Sequence, residues 1–239
     1  MKVNLPKFES KLDATAHIFP IQIAYQAQEF MQGAIFYYIL SDTAASQRVR
    51  QPKALDDIEQ TLLDNGMSKS QWNEGWNHLD KYQDVFAKNV RQSVLITLRS
   101  HWDWYISHLG AFINSNYSYK YSKALSKSKQ KELSKIGFKE ITQQIKILNN
   151  SIESEIHLDE TTLEHVREMS LVRNLGLHNR WEVDKYYLES TKTTGWNIRE
   201  IRTFEIGELE QWHSALVELI NQSWKPVAII LNGSPEYII

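Results

Sequence analysis

The feature that most constrains this chain is its scarcity of residues that interrupt helices. Only 9 glycines and 5 prolines occur in 239 residues, and no proline lies between Trp72 and Phe112. Apolar residues recur in that stretch at intervals of three and four, the spacing that places side chains on one face of an α-helix. We therefore predict one long helix, or two in series, within a mainly α multi-helix bundle.

Further helices are predicted on both sides of this stretch. A first helix starts near Pro20 and runs to about Ile39, because proline is tolerated in the first turn of a helix. Residues 41–53 are predicted as a loop. The apolar spacing predicts four more helices, at about 53–63, 138–152, 158–175 and 207–227.

The spacing of apolar residues is no longer helical just after residue 180. Residues 181–190 and 196–204 are rich in β-branched and aromatic side chains, and they flank the turn-forming stretch "TKTTG". This pattern predicts a small β-hairpin or paired extended segments. The expected fold is therefore a helical bundle with a small β-hairpin or extended insertion.

The chain is predicted to be a single helical domain over residues 1–239. N-terminal helices occupy about 1–113, and a second helical part occupies about 138–226. Between them, residues 114–135 carry six lysines against one glutamate, together with serines and tyrosines. Such a segment is either a mobile basic connector or a helix start with a solvated face. Its tyrosines and lysines could stack bases and hold phosphates, although a run of this kind is more often simply solvated.

Composition excludes several classes of function. Lys plus Arg number 27 and Asp plus Glu 29, so the net charge of -2 gives no general attraction to nucleic acid or to an anionic membrane. Absence of cysteine excludes disulfides, thiolate metal ligands and a cysteine nucleophile, and it fits a reducing cytoplasm. The N-terminus lacks the apolar core of a secretory signal. Glutamines and Glu29 interrupt the apolar run at 18–40, which argues against a membrane span.

The stretch "SLVRNLGLHNRWEVD", residues 170–184, ends one of the predicted helices and concentrates polar groups there. Gly176 is predicted as the C-cap, because glycine tolerates a left-handed backbone. Residues five apart on a helix point about 140° apart, so a turn at this glycine is needed to bring His178 beside Arg173. A guanidinium suits a phosphate, and an imidazole transfers protons near neutral pH. The alternative is a plain helix end, where cationic side chains complement the helix dipole.

The spacing of these two residues carries little information by itself. With 9 Arg and 8 His in the chain, an Arg–His pair at any one spacing arises by chance about 0.3 times. The surrounding residues add the information. In "VRNLGLHNRWEVDKYYLES", a polar residue follows the arginine and an asparagine follows the histidine. A predicted helix precedes the motif, and the predicted hairpin-like segment and then another predicted helix follow it.

This stretch resembles the HEPN superfamily of metal-independent endoribonucleases, whose motif is an arginine and a histidine separated by four to six residues. Arg173, Asn174, His178 and Asn179 match it, and the context match covers about 138–226. The resemblance implies a helical bundle that dimerises with two motifs facing each other. It also implies a role in toxin–antitoxin systems, abortive infection or CRISPR-associated defence against phage.

RNA cleavage through the 2′-hydroxyl needs a base, an acid and positive charge at the phosphate. One arginine and one histidine do not readily fill all three roles, so a two-fold axis through the site is expected. Arg173 and His178 are the predicted catalytic residues, without metal or cofactor. Expected partners are RNA, a second copy and an antitoxin or other regulatory protein, with no membrane. The supporting residues are Asn174, Asn179 and Asp103, and the RNA-binding residues are Arg180, Lys185, Lys120 and Lys123.

Two alternatives remain at this point. The chain could be a catalytically inactive helical adaptor that binds RNA or a protein. A nucleotide-binding subunit ranks last, because no glycine-rich phosphate loop is present. His101 and His108 share a helix face, but Asp103 points about 200° away from His101, so a packed aromatic helix is expected there instead of a metal site.

Overall fold

Helices dominate the computed structural model, which describes residues 19–50, 59–121, 125–152 and 155–232. The mainly α fold class is confirmed. A short helical segment, 59–64, precedes the longest helix. The other elements are α1 (Phe19–Arg50), α2 (Lys69–Tyr121), α3 (Lys127–Leu133), a 3₁₀ turn (Ile136–Phe138), α4 (Ile141–Ile152), α5 (Glu160–His178), α6 (Lys185–Ser190) and α7 (Ile206–Asn232).

The described residues group into two compact units. Residues 33–94 form one unit, and the described residues outside that range form the other, called the motif unit below. The boundary crosses α1 and α2, whereas the sequence predicted one domain whose two parts are joined by a connector at 114–135. All residues of the candidate site belong to the motif unit.

The core of the motif unit is built from large apolar side chains spaced at helical intervals. Trp102 and Tyr105 on α2 and Trp212 on α7 are almost completely buried. Burying each such side chain contributes roughly 1.5–3 kcal/mol. Their polar atoms are satisfied, because the Trp102 indole donates to Gln144 at 2.6 Å and the Tyr105 hydroxyl pairs with Ser223 at 2.8 Å. These bonds join α2 to α4 and to α7.

Two aspartates define where the helices around the motif begin. Asp159 caps α5 by accepting from the Thr162 backbone amide at 2.9 Å, and hydrogen bonds from Thr162 lower the pKa of this carboxyl. Asp184 caps α6 by accepting from the Tyr187 amide at 2.7 Å. Each carboxylate satisfies an amide that has no partner within its helix.

Two segments predicted as irregular are helical. The predicted loop at 41–53 is wrong for residues 41–50, which continue α1, because neither glycine nor proline occurs there to stop it; residues 51–53 lie outside the described ranges. Within the predicted connector, residues 114–121 continue α2 and Lys127–Leu133 form α3, capped by Ser126. Its described residues thus match the alternative of a helix with a solvated face.

The predicted hairpin does not form in the described part of the chain. Lys185–Ser190 is helical, because Asp184 supplies its N-cap. A single antiparallel bridge joins Glu182 and Ile201. Three backbone bonds of 2.8 Å extend it, from Val183 to Glu200, from Arg199 to Val183 and from Arg202 to Trp181.

No helix within the described ranges is both long enough and apolar enough to cross a membrane.

Candidate functional site

The motif lies at the C-terminal end of α5, and the helix continues through His178. Asn179 is the C-cap, and its amide donates to the Leu175 carbonyl at 2.9 Å. The prediction that Gly176 caps the helix is therefore wrong, because Gly176 is a regular helical residue. The left-handed residues come later, at Arg180 with φ 55° and at Trp181 with φ 68°.

Gly176 is required for a different reason. The left-handed residues turn the chain back over the helix end, and the Trp181 ring lies directly on Gly176. A Cβ atom at Gly176 would lie 2.5 Å from two ring atoms of Trp181, closer than any van der Waals contact. The glycine therefore permits close packing of the ring rather than a turn of the backbone.

Arg173 and His178 point in different directions within one chain. Because α5 is regular between them, their side chains diverge by about 140°. Arg173 is partly buried and His178 is exposed. The predicted turn that would bring them together in one chain is absent, because the helix is regular through His178.

Arg173 lies in a partly buried charged cluster with two residues of α2. Its Nη1 donates to the adjacent Asn174 side chain at 3.2 Å, and its buried Nε has no hydrogen-bond partner among the described residues. The positive charge of Arg173 acts on both Arg99 and Asp103. Because the Arg173 Nε is itself buried, only the part of the guanidinium that stays accessible can bind an oxyanion.

Asp103 occupies the position where a supporting carboxylate was predicted. It accepts from Arg99 Nη1 at 2.6 Å and from Gln144 Nε2 at 3.3 Å. Burial raises the pKa of Asp103, although Arg99, Gln144 and Arg173 act against that rise. Burial also lowers the pKa of Arg99; Asp103 opposes this, whereas Arg173 lowers it further. Asp103 is thus paired with Arg99, the charge of Arg173 also acts on it, and Glu140 acts on Arg99 as a second carboxylate.

Arg99 is a member of this cluster that the sequence did not single out. It is 6% exposed, and its Nη2 also donates to the Lys139 carbonyl at 3.3 Å. Its spacing of four residues from Asp103 is the one sequence pattern that could have indicated the pair.

Asn179 has a defined structural role. Its side-chain amide donates to Asp184 through a short hydrogen bond, so it ties the end of α5 to the start of α6. Asn174 contacts Arg173 directly. Of the two predicted supporting asparagines, one touches the predicted catalytic arginine and the other holds the following turn.

The predicted RNA-binding residues are spread along the chain. Arg180 and Lys185 are exposed next to the motif, and Lys185 lies 3.5 Å from Glu189. Lys120 is part of the helical backbone of α2, and Lys123 lies outside the described residues.

A second charged cluster, missed at the sequence level, surrounds Arg202 on the other side of α5. Arg202 is 1% exposed; its Nε donates to the Tyr187 hydroxyl at 2.9 Å, and its Nη2 lies 2.6 Å from Glu208 and 3.3 Å from Glu168. Glu168 also accepts from the hydroxyls of Tyr187 and Thr191. Burial and Glu168 raise the pKa of Tyr187 to about 12, against the opposing effect of Arg202. No local spacing indicates this cluster, because its members come from distant segments.

The Arg202 cluster borders an open cavity of about 300 Å³, lined by residues that include Glu164, Glu168, Lys192 and Glu208. Lys192 pairs there with Glu160 and Glu164. The charged groups of this cavity are thus largely paired with one another.

Two histidines of α2, His101 and His108, have packing roles. His101 stacks on Phe30 with ring centroids 5.1 Å apart, and His108 packs on Trp104 at 4.3 Å. The packed aromatic helix predicted here is confirmed. Among the described residues, no group of three His, Asp or Glu is arranged to hold a metal ion.

No protein-family model, curated protein or solved structure matches this chain. The resemblance to HEPN nucleases therefore depends on the motif residues and the helices around them, since the hairpin-like segment expected after the motif contains α6 instead.

Proposed function

We propose that this protein is a metal-independent endoribonuclease that cleaves RNA by attack of a 2′-hydroxyl on the adjacent phosphate. The products would carry 2′,3′-cyclic phosphate and 5′-hydroxyl ends. By its resemblance to HEPN proteins, we further propose that it acts in the cytoplasm as a toxin or an anti-phage effector, controlled by an antitoxin or another regulatory protein.

The observation that carries the proposal is the environment of Arg173. Its Nη1 is held by the Asn174 side chain at 3.2 Å, and its positive charge acts on Asp103 and Arg99, so the guanidinium is held in a charged setting. A preorganised arginine of this kind stabilises the charge that develops on a phosphate during cleavage. His178, exposed at the end of the same helix, is free to reach substrate from solvent.

The roles follow from the chemistry of the two side chains. One imidazole takes the proton of the 2′-hydroxyl as its oxygen bonds to phosphorus, and a second imidazole gives a proton to the departing 5′-oxygen. Arg173 neutralises the phosphate oxygens throughout. Asn174 holds the arginine, and Asn179 holds the turn that follows His178.

Two copies of the chain are needed for this mechanism. Arg173 and His178 diverge on α5, so a single chain does not offer both to one phosphate. A homodimer with a two-fold axis at the helix end would supply two arginines and two histidines to one cleft.

The test is cleavage of synthetic RNA by purified protein in the presence of a chelator. Arg173→Ala and His178→Ala should each reduce cleavage by at least about 100-fold, since a general acid or base contributes roughly 10²–10⁴. Matched controls are Arg167→Ala, an exposed arginine on α5, and His157→Ala, an exposed histidine. Both controls should cleave like the wild type.

The product ends provide a second readout. A 5′-hydroxyl end accepts phosphate from a polynucleotide kinase directly, and a cyclic phosphate blocks 3′-end ligation. Products with 3′-hydroxyl ends would rule out the mechanism. RNA binding without cleavage by the wild type would instead favour the inactive adaptor.

A further inference from the structure

The strongest concentration of positive charge in the described chain lies outside the motif. Residues 127–152, which span α3, the 3₁₀ turn and α4, contain six lysines and two glutamates, although the whole chain has a net charge of -2. Five of these lysines are exposed, and Lys129 donates to the Asn150 carbonyl at 2.5 Å, which joins α3 to α4. The lysines are Lys127, Lys129, Lys131, Lys135, Lys139 and Lys146.

Phe138 stands in the middle of this basic segment and is 91% exposed, the most exposed large apolar side chain described. The turn that carries it is firmly held. Ile136 is 1% exposed, and Gly137 packs so closely on α2 that a Cβ atom there would lie 2.0 Å from the Ser107 hydroxyl oxygen. The backbone therefore presents the ring to solvent, and Lys135 and Lys139, which flank it in the sequence, are exposed as well.

This basic segment is joined to the Arg173 cluster by a hydrogen bond to a backbone carbonyl. The Lys139 carbonyl accepts from Arg99, which is paired with Asp103 beside Arg173. On the same side, the Tyr186 hydroxyl donates to Glu140 at 3.1 Å, and Tyr186 is 55% exposed. A second exposed aromatic ring thus comes from α6, just after the motif.

We propose that the surface formed by Phe138, Lys135, Lys139 and Tyr186 binds an unpaired, single-stranded segment of RNA and leads it to Arg173. Lysines hold the backbone phosphates, and an outward aromatic ring stacks on a free base. A duplex keeps its bases stacked inside and offers no free face to such a ring. This inference deepens the proposed nuclease function and rests on it for the position of the cut.

Binding can be measured separately from cleavage. The probe is a fluorescent 15-nucleotide strand with 2′-O-methyl groups throughout, which lacks the attacking hydroxyl, used alone or annealed to its complement. Fluorescence anisotropy of the full-length protein should give a lower Kd for the single strand than for the duplex. Phe138→Ala should raise the single-strand Kd about tenfold, whereas Phe138→Tyr should stay close to the wild type because it keeps the ring.

Two further variants make the test specific. Phe36→Ala removes another exposed phenylalanine, on α1, and should leave the Kd unchanged. Lys135→Gln combined with Lys139→Gln should reduce the slope of log Kd against log salt by about 1.4, since each phosphate contact to a single strand contributes about 0.7. Because Phe138 is exposed, its truncation removes no core contact, and circular dichroism checks that folding is intact.

The outcomes separate this inference from the nuclease proposal. If Phe138→Ala binds the single strand like the wild type, or if the duplex binds equally well, the inference is wrong even where Arg173-dependent cleavage is seen. If Phe138→Ala weakens binding but the wild type cleaves no RNA, the RNA-binding role of the surface is supported and the nuclease proposal fails. If the variant changes only the mass measured by light scattering, the surface is a subunit interface and the inference is overturned.

Discussion

The ring of Trp181 occupies the space that a Cβ atom on Gly176 would need. Two successive left-handed residues, Arg180 and Trp181, turn the chain so that the ring returns onto the helix. Such residues are disfavoured by about 1–2 kcal/mol each. Packing of the ring on Gly176 and beside Phe204, at a centroid distance of 6.0 Å, helps to offset that cost. The direction in which the chain leaves His178 is set by this contact.

Substitution of Gly176 by alanine should change the free energy of unfolding in opposite directions with and without the Trp181 ring. Gly176→Ala should lower the free energy of unfolding by about 1 kcal/mol, because overpacking costs about 1–3 kcal/mol and outweighs a gain of about 1 kcal/mol in helix propensity. In a Trp181→Ala background, the same substitution should stabilise by about 1 kcal/mol. Urea denaturation followed by circular dichroism measures both values.

Gly207→Ala is the matched control, because nothing lies within 4 Å of a Cβ atom at that helical position. It should stabilise the protein by about 0.5–1 kcal/mol. Equal effects of Gly176→Ala with and without the Trp181 ring would contradict the proposed contact.

At the scale of elements, the Arg202 cluster attaches the segment between α5 and α7 to both helices. Arg202 contacts Glu168 on α5, Tyr187 on α6 and Glu208 on α7. Its guanidinium carbon also lies over the Trp196 ring, 4.6 Å from the ring centroid. Its backbone amide also donates to the Trp181 carbonyl at 2.8 Å. One buried side chain therefore holds together the elements that surround the motif.

Removal of the Arg202 charge should be strongly destabilising. Arg202→Met should lower the free energy of unfolding by about 3 kcal/mol, because it leaves the carboxylate of Glu168 in a mostly buried position without its cation. The double variant with Glu168→Gln should lose less than the sum of the two single losses, since the two groups interact. Denaturation in urea supplies these values.

Arg167→Met removes an exposed arginine from the same helix as Glu168 and should change stability by no more than about 0.5 kcal/mol. A similarly small effect of Arg202→Met would show that the cluster contributes little.

At the scale of the whole molecule, the regular path of α5 makes the proposed site dependent on two chains. Arg173 and His178 diverge along one helix, whereas a two-fold axis at its end could bring together copies of both. The dimer would have twice the monomer mass of 28.0 kDa. Basic charge concentrated on α3 and α4 would then guide RNA toward the shared cleft.

Mixed dimers test the shared site. When wild-type chains are co-refolded with His178→Ala chains, cleavage should fall with the square of the wild-type fraction, to about one quarter of the wild-type rate in an equal mixture of randomly paired chains. Mixing with His157→Ala chains should leave the rate unchanged. A linear dependence on the wild-type fraction would mean that each chain works alone.

Much of the fold was predictable because it follows from local patterns. The scarcity of glycine and proline and the apolar spacing predicted the mainly α class and the long helix around Trp102. Local patterns failed where a cap overrode composition: Asp184 makes Lys185–Ser190 helical, although its tyrosines favour a strand. They also failed at 41–50, where polar composition suggested a loop but no residue stops the helix.

The sequence by itself determined which side chains are available at the end of α5, since Arg173, Asn174, His178 and Asn179 lie close together in the chain. Only the tertiary structure decided how these groups are presented. Gly176 accommodates a ring from the returning chain, the Arg99 guanidinium on α2 also binds the Lys139 carbonyl, and Phe138 projects from a turn packed on α2. Such placements arise from contacts between residues far apart in sequence, so local spacing carries no record of them.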